Sequence, residues 1–272
     1  MKFLLPITLL ASTLLVNVNG ARWMPKPGLT WDYLLGGNEN TIKASDKDVV
    51  TFDLDYAKKM VPILHKRGQK AVCYFAGGVT DGKSDKQKFV NAGLVLEGGD
   101  GWGNKPLNIK NKKKLQPLLR DRFKRAYQYG CDAVEVDCID VYHYTKKITK
   151  DDVLVFAKWL AQTAHEENIS IGLKNVATIS EKLQPYFDFA VVESCAESPN
   201  VCNYYKAFTK NNKAVFIVHY GNRGWNLSGN KLKTLKKEQG GRKFTCVLSD
   251  HENLRGHAKN YNCDTGAEIS NY

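Results

Sequence analysis

Residues 130–140 read GCDAVEVDCID, and this stretch decides the fold. A long helical pattern over residues 113–129 stops at Gly130, a residue type that commonly ends helices. The apolar run 133–137 then predicts a buried strand that ends in acids, and a second helical pattern follows over residues 149–167. This helix, strand, helix order is the repeating unit of a parallel sheet.

The same alternation continues along the chain. The predicted strands are eight short runs, Thr30–Leu35, Val49–Leu54, Lys70–Phe75, Ala133–Asp137, Ser170–Lys174, Phe189–Glu193, Ala214–His219 and Phe244–Leu248. The clearest predicted helices are Tyr56–Lys66, Lys113–Tyr129, Thr149–Glu167, Ile179–Pro185, Cys202–Thr209 and Leu232–Lys237. Eight such units without an internal linker favour a single-domain (β/α)8 TIM barrel over a doubly wound sheet.

The first residues have the pattern of a signal peptide. One positive charge at Lys2 precedes an apolar block over residues 3–16, and small residues lead to Gly20. A membrane span needs ~20 apolar residues, so we predict removal of residues 1–20 and no membrane anchor. The remaining residues 21–272 match the ~250 residues of one barrel domain, and we expect a secreted, extracellular protein.

The chain is basic, with a formal net charge of +12. Such a charge attracts anionic polymers, including nucleic acid. However, the lysines of the runs at residues 110–114 and 231–237 mostly occur at helical spacing with apolar residues among them, such as Leu115, Leu118 and Leu119. Solvated helix faces explain these lysines better than a nucleic-acid patch, so no nucleic-acid partner is predicted.

Seven cysteines in an exported chain predict disulfides and at least one unpaired thiol. The spacing favours Cys195 with Cys202 first, and Cys246 with Cys263 next. We interpret the other three cysteines as buried thiols: Cys73, Cys131 and Cys138. Glycosylation sequons begin at Asn168 and Asn226, which also fits export.

Carboxylates gather at the ends of the predicted strands, where TIM barrels place their active sites. Strand two ends with Asp53 and Asp55, strand four with Asp137 followed by Asp140, and strand six with Glu193. Glycoside cleavage needs one carboxylic acid to protonate the leaving oxygen and one carboxylate to attack or to activate water. Buried acids that pair with cations to support the barrel are the alternative interpretation.

Strand alternation refines the choice among these acids. Neighbouring valines face the helix layer, which turns Glu135 and Asp137 towards the barrel axis, and the same reasoning points Glu193 inward. Two acids on one face repel each other, and Lys174 at the end of strand five is the cation best placed to pair with them. We expect Glu135, deeper in its strand, to orient Lys174.

Other chemistries lack support in the sequence. The histidines show no zinc-type spacing, no serine elbow occurs, and the glycines of residues 98–103 do not follow a phosphate-binding pattern. We therefore predict no metal and no organic cofactor.

The sequence resembles glycoside hydrolase family 114, the endo-α-1,4-polygalactosaminidases. The resemblance rests on Trp31–Gly36, on Val50 with Asp53 and Asp55, on Leu64-His65 through Gly68 to Cys73–Gly77, and on residues 130–140, 172–175, 187–195 and 213–216. These blocks extend from Trp31 to about Tyr220.

The resemblance implies a barrel that cleaves α-1,4-linked galactosamine or N-acetylgalactosamine polymers internally, with Asp137 and Glu193 as the catalytic pair. Asp137 would be the nucleophile or base and Glu193 the general acid. The residues assigned to substrate binding are Trp31, Asp53, Asp55, Tyr74, Asp140, Tyr142, Lys174 and Asn175. We expect a monomer whose partner is the polysaccharide. A catalytically weak barrel that binds cell-wall glycan is the alternative.

Four positions depart from the family pattern: Asn108, Cys138, Ser194 and His219. We expect these departures to change groups that bind substrate. Because a basic protein repels a cationic polymer at long range, we also expect either acetylated or mixed galactosamine polymer as the substrate, or a host where high salt screens the repulsion.

Overall fold

The computed structural model describes residues 21–270. The predicted signal peptide, residues 1–20, lies outside the described residues. Nine strands of the described residues form one sheet, and they are β1 Trp31–Leu34, β2 Val49–Asp53, β3 Lys70–Ala76, β4 Ala133–Asp137, β5 Ser170–Lys174, β6 Phe189–Glu193, β7 Val215–Tyr220, β8 Thr245–Ser249 and β9 Lys259–Tyr261. Between residues 21 and 270 no helix is long and apolar enough to cross a membrane.

Helices follow most of the strands. The α-helices are α1 Glu39–Ala44, α2 Ala57–His65, α3 Lys86–Asn91, α4 Lys112–Gln128, α5 Lys150–Glu166, α6 Ala177–Leu183, α7 Lys206–Lys210 and α8 Gly229–Gln239. Short 3-10 turns span Leu54–Tyr56, Val141–His143, Gln184–Tyr186, Cys195–Glu197, Cys202–Tyr205 and Gly221–Arg223. The two longest helices, α4 and α5, begin with side-chain caps from Asn111 and Thr149.

Strands β1 to β8 pair in parallel and in chain order, which confirms the predicted (β/α)8 barrel and its single domain. The ninth strand was not predicted. It runs antiparallel to β8. It also meets β1 through one side chain: Asn260 accepts from the Trp31 N–H at 2.8 Å and donates to the Trp31 carbonyl at 2.9 Å. The side-chain amide of Asn260 thus satisfies backbone groups that a neighbouring strand would otherwise pair, and it links β9 to β1 around the barrel.

Two buried layers result from strand alternation. Val134 and Val136 of β4 belong to the layer between barrel and helices, whereas Ala133 belongs to the barrel interior. Glu135 and Asp137 therefore share the inward parity of Ala133, as predicted. The strand ends thus bring the side chains of several strands together above the interior layer.

Two disulfides match the predicted pairs, Cys195–Cys202 and Cys246–Cys263. The first closes the turn that follows β6, with Cα atoms 5.0 Å apart. The second joins the beginning of β8 to the segment after β9. Both disulfides therefore fix segments that connect strands to the rest of the barrel.

The prediction of buried thiols at Cys73 and Cys131 is wrong. They form a disulfide between β3 and the segment just before β4, with Cα atoms 6.0 Å apart. The two residues are 58 positions apart in sequence, and only the pairing of β3 with β4 brings them together. Among the described residues, Cys138 is the free cysteine.

Candidate active site

The central cleft opens at the carboxyl ends of the strands and has a volume of about 510 Å³. Its lining residues are Leu35, Gly36, Tyr74, Ala76, Val79, Asp81, Asp100, Trp102, Asn104, Asp137, Cys138, Tyr144, Lys174, Asn175, Glu193, Glu252, Asn253, Leu254 and Arg255. Other cavities lie at the amino end of the barrel and against the outer helices. We assign the site to the central cleft because carboxylates and a buried cation converge there.

Asp137 is held as a carboxylate by three donors. The Cys138 N–H and the Lys174 ammonium contact its Oδ1 at 2.6 and 3.2 Å, and the Tyr74 hydroxyl donates to Oδ2 at 2.8 Å. Burial opposes ionisation, but Lys174 and these hydrogen bonds outweigh it and lower the pKa of Asp137 below its usual value. An ionised Asp137 suits the role of nucleophile or base.

Glu193 is fixed from three sides. The hydroxyl of Tyr220 contacts its Oε1, while Lys174 Nζ lies 3.1 Å and Asn175 Nδ2 3.3 Å from its Oε2. The side-chain Oδ1 of Asn175 also accepts from the Glu193 backbone N–H at 3.0 Å, which fixes the orientation of the Asn175 side-chain amide. Since its side chain is 31% exposed, Glu193 can still reach a ligand in the cleft.

Lys174 lies beneath both acids with its side chain only 2% exposed. Its Nζ donates to the Tyr33 hydroxyl at 3.0 Å and lies 3.3 Å from Glu135 Oε1. The Tyr33 hydroxyl in turn donates to Glu135 Oε1 at 2.6 Å. Burial lowers the pKa of a lysine, but the surrounding acids overcome this and raise the pKa of Lys174 well above its usual value.

Glu135 is fully buried and lies deeper in β4 than Asp137. Burial raises its pKa to about 7, although Lys174 acts in the opposite direction. The predicted contact between Glu135 and Lys174 is therefore present.

The backbone turns sharply after each of these strands. Cys138, Asn175, Val176 and Ser194 have φ angles of 55°, 52°, 56° and 54°, in the left-handed region that non-glycine residues avoid. Cys138, Asn175 and Ser194 follow Asp137, Lys174 and Glu193 directly, so the chain bends where these three side chains meet the cleft. Such conformations cost ~1–3 kcal/mol each and cluster at functional sites.

The outer part of the cleft is built by two loops. The loop between α3 and α4 presents Trp102, which is 72% exposed, on a turn where Asp100 accepts from the Trp102 N–H at 2.8 Å. The loop between β8 and β9 contributes Glu252 and Arg255. An exposed indole at the edge of a cleft suits stacking against a sugar ring.

Five residues predicted for catalysis or substrate binding line the central cleft: Tyr74, Asp137, Lys174, Asn175 and Glu193. Trp31 does not, which corrects its assignment to substrate binding. It is fully buried in the barrel interior, where its Nε1 donates to the Thr51 hydroxyl at 2.9 Å. Trp31 therefore has no surface that a substrate could reach.

Four further residues assigned to substrate binding lie at the carboxyl ends of the strands but outside the lining of the cleft. Asp53 and Asp55 pair with the Lys83 ammonium. Asp140 accepts from the Tyr144 hydroxyl at 2.9 Å. Tyr142 lines a neighbouring depression of about 430 Å³. Asp53, Asp55 and Asp140 thus have partners within the protein.

The departures from the family pattern affect the cleft less than expected. Only Cys138 among the four lines it. His219 is fully buried, and its Nε2 accepts from the Ala196 N–H at 3.1 Å. The side-chain oxygens Oδ1 of Asn108 and Oγ of Ser194 are buried and make no hydrogen bond.

Sequence reasoning missed Tyr220, Arg255 and the role of Tyr33. Tyr220 ends β7, so the rule that strand ends carry function was the available signal. Tyr33 lies inside β1, where an aromatic residue usually packs in a core. Arg255 belongs to a loop whose path no local pattern fixes.

No group of three or more histidine, cysteine, aspartate or glutamate side chains within residues 21–270 could hold a metal ion. The titratable side chains of the cleft are instead linked to lysine, tyrosine and backbone donors.

Comparison with known proteins places these features in a family. The model of glycoside-hydrolase family GH114 matches residues 12–267. The structure of Aspergillus fumigatus Ega3 in complex with galactosamine superposes with a TM-score of 0.77 and 29% identity, over 88% of this chain and 98% of that chain. No curated protein sequence matches the chain.

More distant structures share the fold. The glycoside hydrolase domain of PelA from Pseudomonas aeruginosa superposes with a TM-score of 0.65 and 14% identity, over 85% of this chain and 98% of that chain. A family 20 β-N-acetylglucosaminidase gives a TM-score of 0.51 with 10% identity, over 72% of this chain and 53% of that chain.

Proposed function

Because the chain belongs to glycoside-hydrolase family GH114, we propose that this hydrolase is exported and cleaves α-1,4-linked galactosamine polymers within the chain. Asp137 and Glu193 are the catalytic pair in this proposal. The observation that carries it is their geometry: two carboxylates from β4 and β6 face one open cleft and share a buried cation.

The chemistry follows from the environment of each acid. An Asp137 oxygen attacks the anomeric carbon, and the protonated form of Glu193 gives its proton to the departing glycosidic oxygen. Glu193, now a carboxylate, then takes a proton from water as the water oxygen attacks the anomeric carbon and releases Asp137. The lowered pKa of Asp137 supports its role as the attacking group.

The charges of the cleft support a cationic substrate. The lining acids are Asp81, Asp100, Asp137, Glu193 and Glu252, and the lining cations are Lys174 and Arg255. Asp81 is neutralised by the buried Arg122 at 2.8 Å, but the remaining acids still outnumber the cations. The net charge of +12 predicted an acetylated or mixed polymer, whereas the local charge favours sugars with a free amine.

Galactosamine bound to Ega3 supports the same sugar class for this chain. The alternative, an inactive barrel that only binds glycan, does not require two carboxylates that share a lysine. Export is supported by the three disulfides and by the exposed sequon residue Asn226. Removal of residues 1–20 and one hydrolase domain over residues 21–272 remain part of the proposal.

A digestion series tests the substrate class. The purified protein is incubated with deacetylated α-1,4-galactosamine polymer, with its N-acetylated form, and with β-1,4-linked glucosamine polymer as the control. We expect oligosaccharides of several lengths early in the reaction from the deacetylated polymer, slower release from the acetylated form and none from the control. Release of single sugars only, or equal cleavage of the control, would refute the proposal.

A further inference from the structure

Lys174 has more acceptors than it can satisfy. Its Nζ lies 3.0 Å from the Tyr33 hydroxyl, 3.1 Å from Glu193, 3.2 Å from Asp137 and 3.3 Å from Glu135. An ammonium group offers three N–H donors. Because four oxygens surround these three donors, at least one of these oxygens receives no full hydrogen bond from Lys174 at any moment.

The three carboxylates also exceed the positive charge available to them. Within residues 21–270, Lys174 is the cation in ion-pair contact with Glu135, Asp137 and Glu193. The remaining neighbours are the phenols of Tyr33, Tyr74 and Tyr220 and the thiol of Cys138, and burial raises the pKa of each. These groups stay neutral near pH 7, so Lys174 alone compensates the charge of the acids.

The proposed reaction moves negative charge across this lysine. When Asp137 bonds to the anomeric carbon, it loses its charge, and Glu193 gains one as its proton leaves with the glycosidic oxygen. The charge thus passes from β4 to β6, while the total charge of the cluster stays constant. Hydrolysis of the intermediate returns the charge to Asp137 and the proton to Glu193.

We propose that Lys174 is a stationary counter-cation that pairs with Asp137 before the first step and with Glu193 after it, held between them by Tyr33 and Glu135. It acts as a positioning residue, through the two acids. Its nearly equal distances from both, 3.2 and 3.1 Å, allow this exchange without movement of the side chain. This inference rests on the proposed function.

Glu135 completes the arrangement from below. Its Oε1 receives the Tyr33 hydroxyl and faces Lys174, whereas its Oε2 is buried and has no hydrogen-bond partner. The ionisation state of Glu135 therefore determines how much of the Lys174 charge is available to the catalytic pair. Loss of Lys174 should make ionisation of the catalytic acids Asp137 and Glu193 less favourable, whereas loss of the Glu135 charge should make it more favourable.

The pH dependence of kcat/KM on the galactosamine polymer tests this account. We expect a bell-shaped profile with one limb at low pH and one at high pH. In Lys174→Met both limbs of this profile should move to higher pH by about one unit, because each catalytic acid loses its counter-cation. In Glu135→Gln the limb at higher pH should move to lower pH, because a neighbouring negative charge is lost there. The limb at lower pH should stay in place, because Glu135, whose pKa is about 7, is neutral at that pH. The double variant should return the limb at higher pH towards that of wild type.

The value of kcat and the position of the pH limbs together distinguish a charge effect of Lys174 from a general loss of structure. Lys174→Arg keeps the charge and should keep the limbs, although the larger guanidinium lowers kcat. A structural role alone would lower kcat in Lys174→Met and leave both limbs in place. Limbs that stay within about 0.3 pH units of wild type in both single variants would overturn the inference.

A second readout does not depend on catalysis. The difference in free energy of unfolding between wild type and Lys174→Met should grow as pH rises from about 4 to 7, since ionised acids need the cation. A difference that is independent of pH would also overturn the inference. Failure of wild type to cleave any hexosamine polymer would instead refute the proposed function, and the unfolding measurement would still test the role of Lys174.

Discussion

Asp137 and Glu193 each place one oxygen within 3.2 Å of the same Lys174 nitrogen. Because one ammonium group bridges them, the two carboxyl groups lie close together, which favours the ~5–5.5 Å separation of retaining glycosidases over the ~6.5–9.5 Å that inverting glycosidases need for an intervening water. The geometry predicts retention of the anomeric configuration. Proton NMR during the first turnovers should show new α-anomeric ends, and initial β-anomeric ends would contradict the direct attack of Asp137.

Trp102 is expected to contribute to binding without contributing to the chemical step. It is 72% exposed and lies at the edge of the cleft. Trp102→Ala should raise KM about fivefold, for a loss of ~1 kcal/mol of stacking, with kcat within about twofold of wild type. Tyr127→Ala removes an aromatic side chain that is 52% exposed on α4 and should change neither constant. An unchanged KM in Trp102→Ala would exclude stacking.

At this scale the sequence predicts the acids better than their neighbours. Strand parity and strand ends placed Asp137, Glu193 and Lys174 at one end of the barrel, because alternation decides which side chains turn inward, and the family resemblance then singled out Asp137 and Glu193. The same reasoning places Trp31, the first residue of β1, at the amino end of its strand and away from the rim, where the structure buries it. Its assignment to substrate binding therefore did not follow from its position in the strand.

Within the β7 element, His219 should make stability depend on acid. Burial, with a smaller effect of the nearby Arg223 charge, lowers its pKa to about 3. A neutral ring without a proton on Nε2 also fits the hydrogen bond that Nε2 accepts from the Ala196 N–H. The unfolded chain binds this proton near pH 6.5, so the free energy of unfolding falls as pH drops from about 6.5 towards 3, by up to ~1.4 kcal/mol per unit.

Unfolding measured between pH 7 and 4 tests this expectation. His219→Gln keeps an acceptor for the Ala196 N–H and does not titrate, so its stability should fall less steeply than that of wild type. His143→Gln replaces an exposed histidine and serves as the control. Parallel stability curves for wild type and His219→Gln would show that His219 does not carry this acid sensitivity.

Elements with a regular pattern were predictable, and short irregular ones were not. All eight parallel strands and the long helices α4 and α5 follow from periodicity and capping. The short helices α1 and α3, six residues each, and the three-residue strand β9 carry too few periods to be seen. The Cys73–Cys131 disulfide was missed because it depends on strand pairing across 58 residues.

The net charge of the whole molecule and the charge of its central cleft have opposite signs. The chain carries a net charge of +12, yet acids outnumber cations around the central cleft. Composition describes the total, and only the fold shows where each charge lies. Lysines on solvated helix faces and carboxylates at strand ends together give a basic protein with an acidic cleft, which composition alone did not predict.

The central claim is that Asp137 and Glu193 catalyse hydrolysis of a galactosamine polymer. The most direct test measures release of reducing ends from deacetylated α-1,4-galactosamine polymer by wild type, Asp137→Asn and Glu193→Gln. The matched controls are Asp121→Asn and Glu181→Gln, which neutralise exposed acids on α4 and α6.

We expect wild type and both controls to release ends at equal rates, and both active-site variants to be at least about a hundredfold slower while still folded. If Asp137→Asn or Glu193→Gln releases reducing ends as fast as wild type, the assignment of the catalytic pair is contradicted.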